Sequence, residues 1–257
     1  NLLPDHRQQI LDRLTFFAEK IRAAGEKNSQ ALAAAREGLV STFEHSDSTS
    51  FQYTVAEMAS EVLAPLLDLP SAVKQLTVAL AVSQMPQVTI QPALEKMVVH
   101  PNAGVRYLGW KGYRAAAPRV LGQGVEPAQA LFETLERRAA EETSGPVVAA
   151  IWEALGTDWG NARVPAGLGD PRRRSLEILQ KTWPVHCARL MNGDLGIAKV
   201  AGKGLETALE FAAAAPPGSE QGRTAMQLVA DLMWCAAKGY GMVYAAEDEE
   251  GRESSPI

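Results

Sequence analysis

The sequence predicts an all-α protein on three observations. Alanine and leucine dominate the apolar residues, in runs such as "ALAAAREGLV" and "LEFAAAA", and both lose little side-chain freedom in a helix. Apolar positions recur at three- and four-residue steps, the spacing of one helix face. Alternating β-branched or aromatic runs are nearly absent; "VTI" at Val88–Ile90 comes closest and is too short for a strand. A hydrophobic fraction of 46% excludes wholesale disorder. A chain of 257 residues can bury one or two compact cores or extend as a repeat array.

The first helix is expected over "PDHRQQILDRLTFFAEKIRAAG". Pro4 suits a first turn, Asp5 the positive end of the helix dipole, and Gly25 the stop. Ile10, Leu11, Leu14, Phe17 and Ile21 form its apolar stripe. A second helix is expected over 28–43, and "EHSDSTS" reads as a polar loop. A third over 51–67 carries Val55, Met58, Ala59, Val62, Leu63 and Leu66, and "DLPS" breaks it. A fourth over 72–85 ends before Pro86.

The pattern then becomes periodic. "QPALEKMVV" reads as a short helix, "HPNAG" as a turn and "VRYLGWKGYRAAA" as a second helix; "EPAQALFETLERRAAEE", "TSG" and "PVVAAIWEALG" follow in the same order. Leu94 and Leu135 are 41 residues apart, while Val105 and Val147, like Trp110 and Trp152, are 42 apart. Two helices in a period of about forty residues is the pattern of an α-solenoid.

The stretch "LEKMVVHPNAGVRYLGWKGY" resembles a HEAT repeat: an amphipathic helix, a tight turn with Pro, then Val-Arg opening the second helix. The family often places an Asp in that turn, where this chain has His100 and Asn102, and the second unit has Val148 where the Arg would fall. The match covers 91–155. The resemblance implies a right-handed α-solenoid of antiparallel helix pairs, with Arg106 tying one repeat to the next.

After Gly156 the composition changes. "GTDWGNARVPAGLGDP" reads as a long loop, a kind that is often functional or linking. Asp170-Pro171 opens a helix to about Met191, since Asp can cap and Pro fits the first turn. Further helices are expected over 196–214 and 221–237. The expected organisation is therefore HEAT-like repeats over 1–156, a loop over 157–170, C-terminal helices over 171–240 and an acidic tail over 241–257.

Two groups of residues stand out as candidate sites. Tyr107, Trp110 and Arg114 share one helical face with Lys111 beside them, an aromatic and basic stripe suited to a protein or peptide partner. The competing reading, favoured for Trp110 by its counterpart Trp152, is that these aromatics pack in the core. Arg172, Arg173 and Arg174 crowd a first helical turn, where the dipole disfavours cations. They would either grip a phosphate or carboxylate, with Trp159, Asn161 and Arg163 nearby, or pair with acids such as Asp170 and Glu177. No metal site is expected: His6, His45, His100 and His186 lack a second ligand at helical spacing, and adjacent His186 and Cys187 point about 100° apart. No nucleophile elbow, Walker A motif or dinucleotide fingerprint occurs, so no catalytic residues and no cofactor are expected.

The net charge of −5 is uneven: five acids against one Arg in the last thirteen residues leave the body near −1. A near-neutral body disfavours nucleic acid as the partner. No apolar run approaches the ~20 residues of a membrane span. The start at Asn1 would suit a cleaved export signal or an excised domain, leaving a cytoplasmic and an exported protein both open. Cys187 and Cys235 are expected as buried free thiols; in an exported chain they could instead form a disulfide. The functional expectation is a non-enzymatic interaction scaffold presenting a helical surface to a protein or peptide. The alternatives are a HEAT-like DNA-repair glycosylase and a structural subunit of a larger assembly.

Overall fold

The computed structural model describes residues 3–157, 159 and 162–253, with side chains described up to Gly239. Among the described residues there are helices and no strand. They divide into two compact units, Asn1–Val120 and Leu121–Ile257. The helices expected over 91–117 fall in the first unit, and those over 126–156 in the second. The division thus lies ahead of the 157–170 loop.

The first unit holds α1 (Pro4–Ala23), α2 (Ser29–Phe43), α3 (Thr49–Leu63), α4 (Ala72–Ser83), α5 (Gln91–Val98) and nearly all of α6 (Ala103–Leu121). Two 3-10 turns, Ala64–Asp68 and Val88–Ile90, join α3 to α4 and α4 to α5. The α1 stripe is buried at Ile10, Leu14 and Ile21 as its period requires. α1 packs on α2 and α3, α2 on α4, and α3 on α5. The core they share includes Leu39, Leu63, Leu66, Leu94 and Met97. α6 approaches α4 and α5 through glycines. A Cβ on Gly109 would lie 2.9 Å from Met97 Cβ, and one on Gly112 would lie 2.6 Å from Leu94 Cδ2 and 3.1 Å from Ser83 Cα. Both glycines are therefore required by backbone proximity rather than by a turn. α6 also runs on through Pro118 to Leu121, past the expected end of the helix.

The second unit holds α7 (Val125–Glu141), α8 (Gly145–Leu155), α9 (Pro171–Met191), a single turn α10 (Leu195–Ala198), α11 (Ala201–Ala214) and α12 (Glu220–Glu253). α9 packs against α7, α8 and α12, and α11 against α8 and α12. Trp152 and Trp183 meet at its centre with ring centroids 5.5 Å apart. α9 begins as expected: the Asp170 carboxylate accepts from the Arg172 N–H at 2.9 Å and Pro171 occupies the first turn. The single helix expected over 196–214 is broken at Lys199–Val200, where α10 ends as one turn capped by Asp194. The acidic stretch expected as a solvated tail continues α12 to Glu253; its Ala and Glu residues are strong helix formers, and the helix continues through Gly241 and Gly251.

The thiols expected to be free are joined. Cys187 on α9 and Cys235 on α12 form a disulfide with Cα atoms 5.9 Å apart, across a sequence separation of 48 residues. Helix packing brings them together, a proximity no local pattern reports. Closing a loop of that length removes unfolded-chain entropy equivalent to about 4 kcal/mol. A Cys187→Ser/Cys235→Ser variant, or the reduced protein, should therefore lose roughly 2–4 kcal/mol in urea unfolding. An unchanged midpoint under reduction would rule out this bond as a stabilising link.

Candidate functional site

The turn "HPNAGVR" is held by its own residues. His100 is buried; its Nδ1 accepts from the Asn102 N–H at 3.1 Å, so Nε2 carries the hydrogen and donates to the Leu67 carbonyl at 3.0 Å. Asn102 Oδ1 accepts from the Gly104 N–H at 2.9 Å, and Arg106 Nη1 donates to the carbonyls of His100 at 2.8 Å and Pro101 at 2.9 Å. Arg106 thus closes the entry to α6. Of the aromatic and basic stripe, Trp110 is 0% exposed and stacks beside Tyr113, centroids 5.6 Å apart. It packs in the core and does not reach a partner, a correction to its place on a binding face. Lys111 Nζ lies 5.8 Å from the centre of the Tyr107 ring, both half-buried, and Arg114 is exposed. Burial pushes the Tyr113 phenol up, and Glu95 adds to the shift.

Of the three arginines in the first turn of α9, Arg173 and Arg174 meet acids of the same unit. Arg173 Nε donates to Glu177 at 3.0 Å; Arg174 reaches Glu136 on α7 at 2.9 Å and Glu177 at 3.5 Å; Lys181 also hydrogen-bonds Glu136. The Lys181 hydrogen bond, aided by the charges of Lys181 and Arg174, outweighs burial and holds the Glu136 carboxyl below its usual range. Glu136 therefore already occupies the anion position expected beside Arg174. The cleft here, about 580 Å³, is lined by both charges, with Glu133, Glu136 and Glu141 beside Arg137, Arg174 and Lys181. Trp159 does not join it: the indole is buried against Phe132, centroids 5.8 Å apart. Arg163 is exposed, and Asn161 lies outside the described residues.

Two features escaped the sequence reading. The first is the grip of α9 on the end of α7. His186 is 0% exposed, edge-on to Trp152 at 5.5 Å, with Nε2 donating to the Ala139 carbonyl. Arg189 Nη1 donates to the Glu142 carbonyl at 2.8 Å and Nη2 to the Thr143 carbonyl, while Nη2 also meets the Asp194 carboxylate at 2.7 Å. Burial opposes ionisation of Asp194, but the Arg189 hydrogen bond and the Ile197 N–H win and keep its carboxyl low. This cluster leaves His186 unavailable for ligation, and Cys187 is consumed by its disulfide.

The second is the outer face of α12. Leu228, Val229, Leu232 and Cys235 face the core. Met226, Met233 and Trp234 are 55%, 56% and 57% exposed. With exposed Ala230 and Ala237 they follow steps of four, seven, eight and eleven residues, one continuous apolar stripe. Arg223 lies toward one end, and at the other Lys238 Nζ sits 5.8 Å from the Trp234 ring centre. Asp231 flanks the middle and accepts from Gln227 at 2.9 Å. Among the described residues no helix is long and apolar enough to cross a membrane, and no group of three or more His, Cys, Asp or Glu could hold a metal ion.

The buried imidazole fixes a pH dependence. Burial is the main cause that sets the His186 pKa below its ordinary 6.5, with the Arg189 charge assisting. Below pH 6.5 the unfolded chain therefore binds a proton that the native state refuses, and stability falls as pH drops toward the native pKa. His186→Gln keeps a donor for Ala139 but does not titrate. In urea titrations between pH 6.5 and the carboxylate range it should show a flatter loss than the parent chain; identical slopes would contradict a neutral, buried His186. Comparison with known protein families, with curated proteins and with solved structures finds no match.

Proposed function

We propose that this chain is a non-enzymatic protein-interaction module built of HEAT-like helix pairs, and that it docks an amphipathic helix of another protein on the outer face of α12. The observation that carries the reading is the Met226, Met233 and Trp234 stripe. Contiguous exposed apolar surface of this kind marks interaction sites, and Trp is the side chain most enriched among binding anchors. Met adds a surface that adapts to its partner. The solenoid half of the reading rests on the "LEKMVVHPNAGVRYLGWKGY" resemblance and on the close glycine packing of α6 against α5.

Charge selects the occupant. Arg223 and Lys238 are fifteen positions apart, about 22 Å along a helix. A second copy paired antiparallel about a two-fold axis would set Arg223 against Lys238 and Asp231 against Asp231. Each encounter is like-charged and costs stability. A foreign helix with an apolar face and acidic groups at both ends meets the cations instead. The Cys187–Cys235 bond supports an oxidising compartment for this work.

Trp234 supplies its own probe, since Trp110, Trp152, Trp159 and Trp183 are buried. A synthetic amphipathic helix with Glu near each end should shift Trp234 emission to the blue on binding, and the same helix with Lys near each end should bind at least about tenfold more weakly. Trp234→Ala should cost the acidic helix about 2 kcal/mol or more of affinity and leave the melting temperature nearly unchanged. Equal binding of the two helices, or a concentration-dependent dimer lost in Trp234→Ala, would overturn the proposed occupant.

A further inference from the structure

The first unit contains a cleft of about 540 Å³ with an unusual lining. α1 contributes His6, Gln9, Ile10 and Arg13; the end of α2 contributes Ser41 and Thr42; the turn and first residues leading into α3 contribute His45, Ser46 and Phe51. One guanidinium, two imidazoles, three hydroxyls and an amide line it, and no carboxylate does. Asp5, Asp12, Glu44 and Asp47 are sequence neighbours of these groups, yet none reaches the lining.

Arg13 is fixed in place and left unneutralised. Its Nε donates to Thr42 Oγ1 at 2.9 Å, and its guanidinium carbon stands 5.6 Å from the centre of the Phe17 ring. Thr42 is itself buried and locked, its hydroxyl donating to the Gly38 carbonyl at 2.7 Å. Among the described residues no acid pairs with Arg13, whereas Arg7, Arg22, Arg36, Arg138, Arg173, Arg174 and Arg189 each have a carboxylate partner. The two Nη groups are thus a donor fork held by a neutral hydroxyl and a ring. Such a fork matches the paired oxygens of a phosphate or carboxylate.

From this geometry we infer a binding site for a small phosphate monoester bearing a planar aromatic group. The phosphate is favoured over a carboxylate by donor number. Arg13, Ser46, His6 and His45 offer more donors than two carboxylate oxygens can accept, and a phosphate presents three oxygens with nearly two negative charges. The aromatic part is assigned by the apolar wall. Phe51 and Ile10 face a volume much larger than one phosphate, and the His45 ring stands 6.2 Å from that of Phe51, leaving an aromatic surface beside the cations. The site belongs to the first unit and does not rest on the α12 reading.

Calorimetric titration of the full chain with phenyl phosphate, benzoate and inorganic phosphate tests this. Phenyl phosphate should bind, and benzoate and inorganic phosphate should each bind roughly tenfold more weakly or worse. Arg13→Gln should weaken phenyl phosphate about tenfold or more, since it removes a charge-assisted contact. His45→Asn, outside the α2 and α3 helices and exposed, provides a second variant with little risk to folding and should also weaken it. Arg7→Gln, whose parent side chain pairs with Glu57 at 3.3 Å outside the cleft, should leave affinity unchanged. Absence of heat with phenyl phosphate at millimolar concentration would overturn the site. So would undiminished affinity in Arg13→Gln, and benzoate binding as well as phenyl phosphate would overturn the phosphate assignment.

Discussion

Helices that end inside packed surfaces leave carbonyls without partners, and both units depend on how those carbonyls are satisfied. Each unit answers with a buried histidine followed closely by an arginine. In the first, His100 donates to Leu67, and Arg106 donates to His100 and Pro101, so the ends of two elements and the entry to α6 are settled together. In the second, His186 donates to Ala139 and Arg189 to Glu142 and Thr143, which ties the end of α7 to the last turns of α9. A lost donor at such a point costs the desolvation of an orphaned carbonyl, of order 1–3 kcal/mol, more than a typical net hydrogen bond contributes.

The sequence announced the elements whose signals are local. Asp170-Pro171 states the start of α9, and the period of Ile10, Leu14 and Ile21 states which face of α1 is buried. It was silent where two faces of one helix carry the same chemistry. α12 has apolar residues around most of its circumference, so composition alone could not assign Leu228 and Leu232 to the core and Met233 and Trp234 to the outside. Trp110 presented the same ambiguity in reverse: its period with Tyr107 and Arg114 fits a surface stripe as well as it fits a packed helix. The Arg13 cleft was invisible for another reason. Its walls come from three separate segments, and nothing in "HRQQILDR" or "STFEHS" by itself calls for the other.

The disulfide shows how a distant pairing can be decided by packing. α9 and α12 are neighbours, so residues facing each other across them are brought within bonding distance whatever their separation in sequence. The bond ties the helix that carries the exposed stripe to α9. A docking face on a rigid element loses less freedom when a partner binds, and that saving appears directly as affinity.

Charge pairing distinguishes the surfaces that are finished from those that are not. At the start of α9 three arginines oppose the helix dipole, an arrangement that reads from the sequence as a waiting anion site. Glu136 and Glu177 fill that role from within the unit, so Arg173 and Arg174 spend their charge on structure. Arg13 is the opposite case: its position is secured by Thr42 and Phe17, neither of which carries charge, and the charge is left over. Exposed ion pairs contribute little to stability, so a chain gains little by providing them and loses little by omitting them. What distinguishes Arg13 is that a buried hydroxyl and a ring are committed to aiming a cation into a cleft with no acid on its wall. Aiming costs side-chain freedom, which the Thr42 hydrogen bond and the Phe17 contact offset in part; a bound anion would add the charge pairing they lack.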